Sequence, residues 1–166
     1  MLFWLSLIGL LLLLCFGVVI FFGPPYLPTL NGQIETALKL LDLQAGETLL
    51  ELGSGDGRVM LAAAKKGLKV TGIELNPVLV VVSRIVTWRY RKQVRIIWGS
   101  YWSSLWPRAD AIFAFMLPKY MTRLDKQIEK WVPKPVTLAS FAFSIPGKEP
   151  VTKLKGVFLY KYREID

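Results

Sequence analysis

From Thr48 to Glu74 the chain reads strand, glycine turn, helix, strand, and no other stretch restricts the fold as tightly. Thr48–Leu52 is a short apolar run with β-forming character. Gly53-Ser54-Gly55-Asp56-Gly57 follows, where glycines let the backbone turn sharply with no Cβ to block close approach. Gly57–Lys66 then has helical spacing, and Lys69–Glu74 reads as a second strand. Two strands joined through a helix pair in parallel, so a sheet flanked by helices is expected.

The alternation continues downstream. Pro77–Arg91 is predicted as a helix, Val94–Trp98 as a third strand and Asp110–Met116 as a fourth. Lys119–Val132 carries apolar residues at 121, 124, 128 and 131, one face of a helix, and Pro135–Phe143 is a fifth strand. Ser144–Pro150 is too short for a helical crossover before Val151–Leu154, and Lys155-Gly156 reads as a hairpin turn into Val157–Tyr162. The expected class is therefore α/β, a Rossmann-like sheet finishing in antiparallel strands. Upstream, Gln33–Leu41 has the spacing of a leading helix, closed by the turn-like Asp42–Glu47.

Spacing decides what the glycine turn can hold. A dinucleotide fingerprint needs a glycine at position 58, which is arginine, and no phosphate-binding G-x-x-x-x-G-K-[ST] loop is present. The pattern from Glu51 is acid-x-G-x-G-x-G, the type of turn that accepts S-adenosylmethionine (SAM). SAM has no phosphate; its carboxylate can meet backbone N–H groups of the turn, and its cationic groups can be matched by acids such as Glu51. Glu74 closes the second strand where a ribose-binding carboxylate is expected in such sheets. Asn76 and Pro77 follow as helix cap and first helical residue.

Composition narrows the classes further. The chain has no histidine and one cysteine, Cys15, so a serine–histidine triad, a zinc site and a disulfide framework are all excluded, and no metal is expected. Met1–Phe22 has no charged residue; as a helix it would reach about 33 Å, enough for a hydrocarbon core of about 30 Å. It lacks the basic start and small-residue cleavage site of a signal peptide. One transmembrane helix over 1–23 is expected, then a linker and leading helix over 24–46 and the catalytic domain over 47–166. Every charge lies beyond residue 34, which favours a cytoplasmic catalytic part under the positive-inside rule. The net charge of +9 fits attraction to anionic lipid, a solvated face or a nucleic-acid footprint; for an anchored domain lipid comes first.

Beyond the general SAM-methyltransferase pattern, the chain resembles a particular family. Leu52-Gly53-Ser54-Gly55-Asp56-Gly57-Arg58 with Ala62-Ala63-Ala64-Lys65-Lys66-Gly67, Gly72-Ile73-Glu74-Leu75-Asn76-Pro77 and Ser83-Arg84 look like the membrane-anchored protein-lysine methyltransferases. That family acts on the ATP synthase c-ring protein and the adenine nucleotide translocase. The resemblance runs from about Tyr26 to Tyr162. It implies SAM contacts at Glu51, Gly53, Gly55, Gly57, Glu74 and Asn76, with Ser54 and Leu75 between them. It also implies that Trp102 lies near the adenine, beside Tyr101 and Ser100. Ser100 stands where the family usually has an acid to bond the adenine amino group. Phe115, Leu117 and Pro118, at the end of the fourth strand, are the implied methyl-acceptor rim.

SAM is already activated, so such an enzyme must chiefly align the reacting atoms and exclude water. A lysine acceptor must still lose a proton from a group with pKa about 10.4, and a desolvating aromatic rim helps. Trp98, Tyr101, Trp102, Trp106, Phe113, Phe115 and Tyr120 are the aromatic candidates, although most are expected in the core. Asp110 has both a catalytic and a structural reading. The leading expectation is a lysine methyltransferase acting on a membrane protein, in a prokaryotic plasma membrane because an Arg/Ser-rich transit segment is lacking, with the mitochondrial inner membrane as the alternative. Methylation of a lipid, quinone or other small acceptor is the alternative, followed by a non-enzymatic SAM-binding assembly factor. A nucleic-acid substrate is not expected, because Leu117-Pro118-Lys119-Tyr120 lacks the Asn/Asp-Pro-Pro-aromatic tetrad.

Overall fold

The computed structural model describes residues 3–7, 9–10, 13, 27–103, 105–131 and 135–162. Chain order is α1 (Asn31–Leu41), β1 (Thr48–Leu52), α2 (Arg58–Lys65), β2 (Lys69–Glu74) and α3 (Pro77–Val86). A 3₁₀ turn (Trp88–Tyr90) leads to β3 (Val94–Trp98) and β4 (Ala111–Ala114). Then come α4 (Pro118–Trp131), β5 (Val136–Phe141), β6 (Thr152–Leu154) and β7 (Val157–Tyr162).

The strands form one seven-stranded sheet in the order β3-β2-β1-β4-β5-β7-β6. The first five pair in parallel, and β7 pairs antiparallel with both β5 and β6, as the short connections require. The order reverses between β1 and β4, which places the β1–α2 turn at the crevice where open α/β sheets take their ligands.

Alternate residues on β1, β2, β4, β5 and β7 feed two cores. Leu49, Val70, Phe113, Ala139 and Leu159 face α1 and α2, meeting Ile34, Leu38, Val59, Met60 and Ala63. Leu50, Ile73, Ile112, Leu138 and Tyr160 face the other way, toward Met121, Leu124 and Ile128 of α4. Among the described residues no helix covers this second face over β3. The crossover from β3 to β4 is a loop, pinned by Trp106 Nε1 donating to the Tyr101 carbonyl (2.7 Å) and Trp131 Nε1 to the Trp106 carbonyl (3.0 Å).

Three elements fall short of their expected length by three residues or more, while α1, α2, α4 and β6 shift by one or two residues at their ends. The helix expected over Pro77–Arg91 stops at Val86, where Thr87 Oγ1 donates to the Ser83 carbonyl at 2.7 Å and the chain tightens into the 3₁₀ turn. The fourth strand, expected over Asp110–Met116, covers Ala111–Ala114, because its pairing with β5 ends at Ala114↔Ser140. The fifth, expected over Pro135–Phe143, covers Val136–Phe141, and Ala142 takes a left-handed φ of 68° that ends the extended run.

No helix among the described residues is long and apolar enough to cross a membrane. The span expected over 1–23 falls largely outside them. Within it residues 3–7, 9–10 and 13 are helical, and Phe3, Trp4, Leu5, Leu10 and Leu13 are exposed.

Candidate functional site

The glycine turn, the end of β2 and the loop after β3 come together at the carboxyl ends of the parallel strands. Gly53, Gly55 and Gly57 all have positive φ (80°, 54° and 85°). At Gly57 a side chain is excluded twice over: the backbone is left-handed, and a Cβ would stand 2.9 Å from that of Ser83. The same contact explains Ser83, a small, fully buried residue of α3 against which the turn rests. Gly72 has the equivalent role from β2, since a Cβ there would collide with Met60 and approach the Ser54 Cβ to 2.7 Å. Its place in a strand gave no hint of this in the sequence.

Glu74 organises the turn. Buried at the end of β2, it accepts from the Gly55 N–H through Oε2 and from the Asn76 N–H through Oε1, both at 2.8 Å. Each carboxylate oxygen keeps a further lone pair. Asn76 caps α3, its Oδ1 accepting from the N–H groups of Val78 (2.9 Å) and Leu79 (3.4 Å), with Pro77 as the first helical residue.

Electrostatics at the turn are unusual. Burial pushes the Glu51 carboxyl well above the usual carboxylate range; the negative charges of Glu74 and Asp56 add to this, and a hydrogen bond from the Met60 backbone opposes it. Tyr101 lies on the other wall, its Cε1 3.8 Å from where a Gly53 Cβ would stand. Its carbonyl is pinned by Trp106 and by Gln127 Nε2 (3.1 Å). Burial raises its phenol to about 12, with Tyr120 and Glu74 adding and Arg123 opposing. Among the described residues, four buried side-chain polar atoms have no hydrogen-bond partner: Glu51 Oε2, Ser54 Oγ, Asn76 Nδ2 and Tyr101 OH. All four belong to this one end of the sheet. Buried polar groups are normally satisfied, so the cluster is a polar surface shaped for something other than the protein itself.

Other expected residues fall around this core. Ser100 Oγ accepts from the Trp102 N–H (3.2 Å), so the side chain braces the loop. Leu75 is half-buried and its carbonyl accepts from Trp98 Nε1 at 3.0 Å. Trp102 meets Tyr101 edge-on and Tyr120 at a tilt, with the Arg123 guanidinium 4.2 Å from its ring centre. Phe115 and Leu117 follow β4, half-buried, and Pro118 opens α4 exposed; β4 neighbours β1, so they stand beside the turn. Of the aromatic candidates, Tyr101, Trp106 and Phe113 are buried and Trp98 is exposed.

Asp110 is placed elsewhere. At the opposite, basal end of the sheet its Oδ2 accepts from Thr48 N (2.8 Å) and Thr48 Oγ1 (2.6 Å), joining β4 to β1, so its role is structural. Sequence reasoning also missed a tie between Asp56 and Arg58. The Arg58 guanidinium bonds both Asp56 oxygens, and its Nη1 reaches the Thr29 carbonyl at 3.4 Å. The chain therefore enters the domain beside the glycine turn. A separation of 29 residues leaves no local signal for that contact.

The stretch that contains the glycine turn also matches known proteins. A family model described as the ANTKMT methyltransferase domain matches residues 51–152. The human lysine N-methyltransferase named for the ATP synthase c-ring protein is 33% identical over 128 residues, covering 76% of this chain and 54% of that protein. The mouse adenine nucleotide translocase lysine N-methyltransferase is 31% identical over 76% of this chain and 56% of its own length. The chain thus spans about half the length of these curated relatives. Among solved structures, an RNA methyltransferase from Salinibacter ruber, crystallised with S-adenosyl-L-homocysteine, superposes with a TM-score of 0.75 at 25% identity. It covers 82% of this chain and 93% of its own.

Proposed function

The chain belongs to the ANTKMT methyltransferase-domain family, and from that membership we propose that it methylates lysine side chains of a membrane protein, using SAM, from a position tethered to the bilayer. The observation that carries the SAM-binding part of this reading is the cluster of four unpartnered buried polar atoms at the glycine turn; the acceptor and the tether rest on the family resemblance and the apolar N-terminal segment.

Those atoms fit the cosubstrate. Glu51 Oε2, buried with no donor, matches a cationic amine, and the turn's backbone N–H groups match a carboxylate. Glu74 retains acceptor capacity for a pair of ribose hydroxyls, with Asn76 Nδ2 and Tyr101 OH as further donors. Bound there, SAM supplies a methyl group on a sulfonium leaving group.

What remains for the protein is to orient the acceptor amine and keep it neutral. Tyr101, with its pKa near 12, stays protonated through the physiological range and acts as a hydrogen-bond donor, not a base. Phe115 pairs with Phe141 on the other face of the sheet, whereas Tyr120 and Trp102 form a half-buried aromatic border beyond the end of β3. Such a border strips water from an entering lysine and so lowers its pKa. The exposed apolar side chains at Phe3, Trp4, Leu5, Leu10 and Leu13 support a membrane tether, and the Arg58–Thr29 contact brings the chain from that tether in beside the turn.

Incubating membranes that contain the protein with tritiated SAM, then separating protein from lipid, tests the assignment. Label on lysine in a membrane protein is the expected result. Label in lipid or quinone would assign a small-molecule acceptor instead, and no label despite SAM binding would point to a non-catalytic role.

A further inference from the structure

At the basal end of the strands, away from the glycine turn, lies a cavity of about 320 Å³ lined by β1, β2, β3 and the loop segments before β3 and β4. It exists because the β3–β4 crossover is a loop: where a helix would cover this face, the sheet is open. Pairing sets Lys69 beside Thr48, and Thr71 between Leu50 and Arg95, all on that face. Arg91 and Lys92 enter from the loop before β3, and Arg108 from the loop before β4.

Among the described residues the lining thus holds five cationic side chains, all exposed, and no carboxylate. Asp110, bonded to the lining Thr48, stands beside it and offsets one charge at most. From Leu75 to Ala109 the sequence has no acidic residue at all. Among the described residues Arg58 and Lys148 make ion pairs that involve none of these five cations, while the Arg91 guanidinium also lies over the Trp88 ring, 4.8 Å from its centre. Like charges converging on a concave space repel one another, and a bound anion relieves that repulsion. Guanidinium groups at Arg91, Arg95 and Arg108 suit the bidentate geometry of phosphate oxygens. The volume is that of a small-ligand site.

We propose that this basal cavity is a second binding site, for a phosphate-bearing anion. The group is either the headgroup of an anionic phospholipid or a soluble phosphate compound. The site is separate from the glycine turn and does not depend on what is bound there.

Calorimetry on the full chain in uncharged detergent tests this with two probes. One is pyrophosphate; the other is dihexanoylphosphatidylglycerol below its critical micelle concentration. Arg91→Gln/Arg95→Gln should weaken binding by about tenfold or more, while the charge-matched control Lys126→Gln/Lys130→Gln on exposed α4 positions stays within about twofold. Both double variants should bind SAM like the parent, which reports an intact fold. Binding of pyrophosphate assigns a soluble ligand, and binding of the lipid alone assigns a headgroup. Binding of neither probe, or equal losses in the two double variants, would overturn the proposal.

Discussion

A carboxyl group buried with one oxygen unpartnered is expensive, and Glu51, whose Oε2 has no donor, sets the chemistry of the turn for that reason. Its folded pKa lies above the ordinary carboxylate value of about 4.3, so between the two the folded chain holds a proton that the unfolded chain has released. Stability of the free protein therefore falls as pH rises through that window. A cation placed against Glu51 lowers its pKa again, so SAM binding should release a proton in the same window and weaken as pH falls through it. Glu51→Gln should raise the thermal midpoint of the free protein near neutrality and flatten its pH dependence. It should also weaken SAM binding by about tenfold, or about 1.4 kcal/mol. Titrations in buffers of different ionisation enthalpy read the proton; an unchanged proton count in the variant would contradict this account. Gly57→Ala combines a left-handed backbone with a 2.9 Å contact to Ser83 and should cost about 1–3 kcal/mol in denaturant unfolding. The residues of the turn were legible because the requirement for glycine is local. Gly72 was not, since what excludes its side chain is Met60 and Ser54, neighbours only in the folded sheet.

Elements were readable to the extent that their signals are periodic or end in a cap. Strands β1, β2, β3 and β7 lie where apolar patterning places them, and Asn76-Pro77 opens α3 as capping chemistry dictates. The end of α3 was misread because Arg89 and Arg91 extend a tolerable helix pattern, whereas Thr87 turns its hydroxyl back onto Ser83. How β1 is fixed to β4 was also hidden. Asp110 reads equally as catalyst or brace until Thr48 is seen to donate to it twice. Asp110→Asn should destabilise the fold by about 1–3 kcal/mol, because hydrogen bonds to a charged acceptor are the stronger ones. SAM affinity should not change, since the pair sits at the far end of the sheet. A second staple joins α4 to the hairpin: Asp125 accepts from Tyr162 OH (2.6 Å) and Lys148 Nζ (2.7 Å). Tyr162→Phe should lower stability by about 1–2 kcal/mol in urea, again with SAM binding intact.

At the scale of the whole molecule, one sheet separates two chemistries. Its carboxyl edge carries unpartnered polar atoms, aromatic rings and the point where the chain enters; its basal edge carries a cavity lined by five exposed cations. That polarity follows from the parallel strands, which bring every β–α turn to one end, and from the missing helix over β3. Removal of residues 1–26 should shift the protein from the membrane pellet to the supernatant while SAM affinity is retained, because Thr29 and the residues after it still close the turn. Whether the turn holds SAM is the claim on which the rest stands, and isothermal titration of SAM into wild type and Gly55→Arg measures it directly. Saturable one-to-one binding by the wild type, lost in the variant while its circular dichroism stays unchanged, is the predicted result. Equal binding by the two proteins would contradict it.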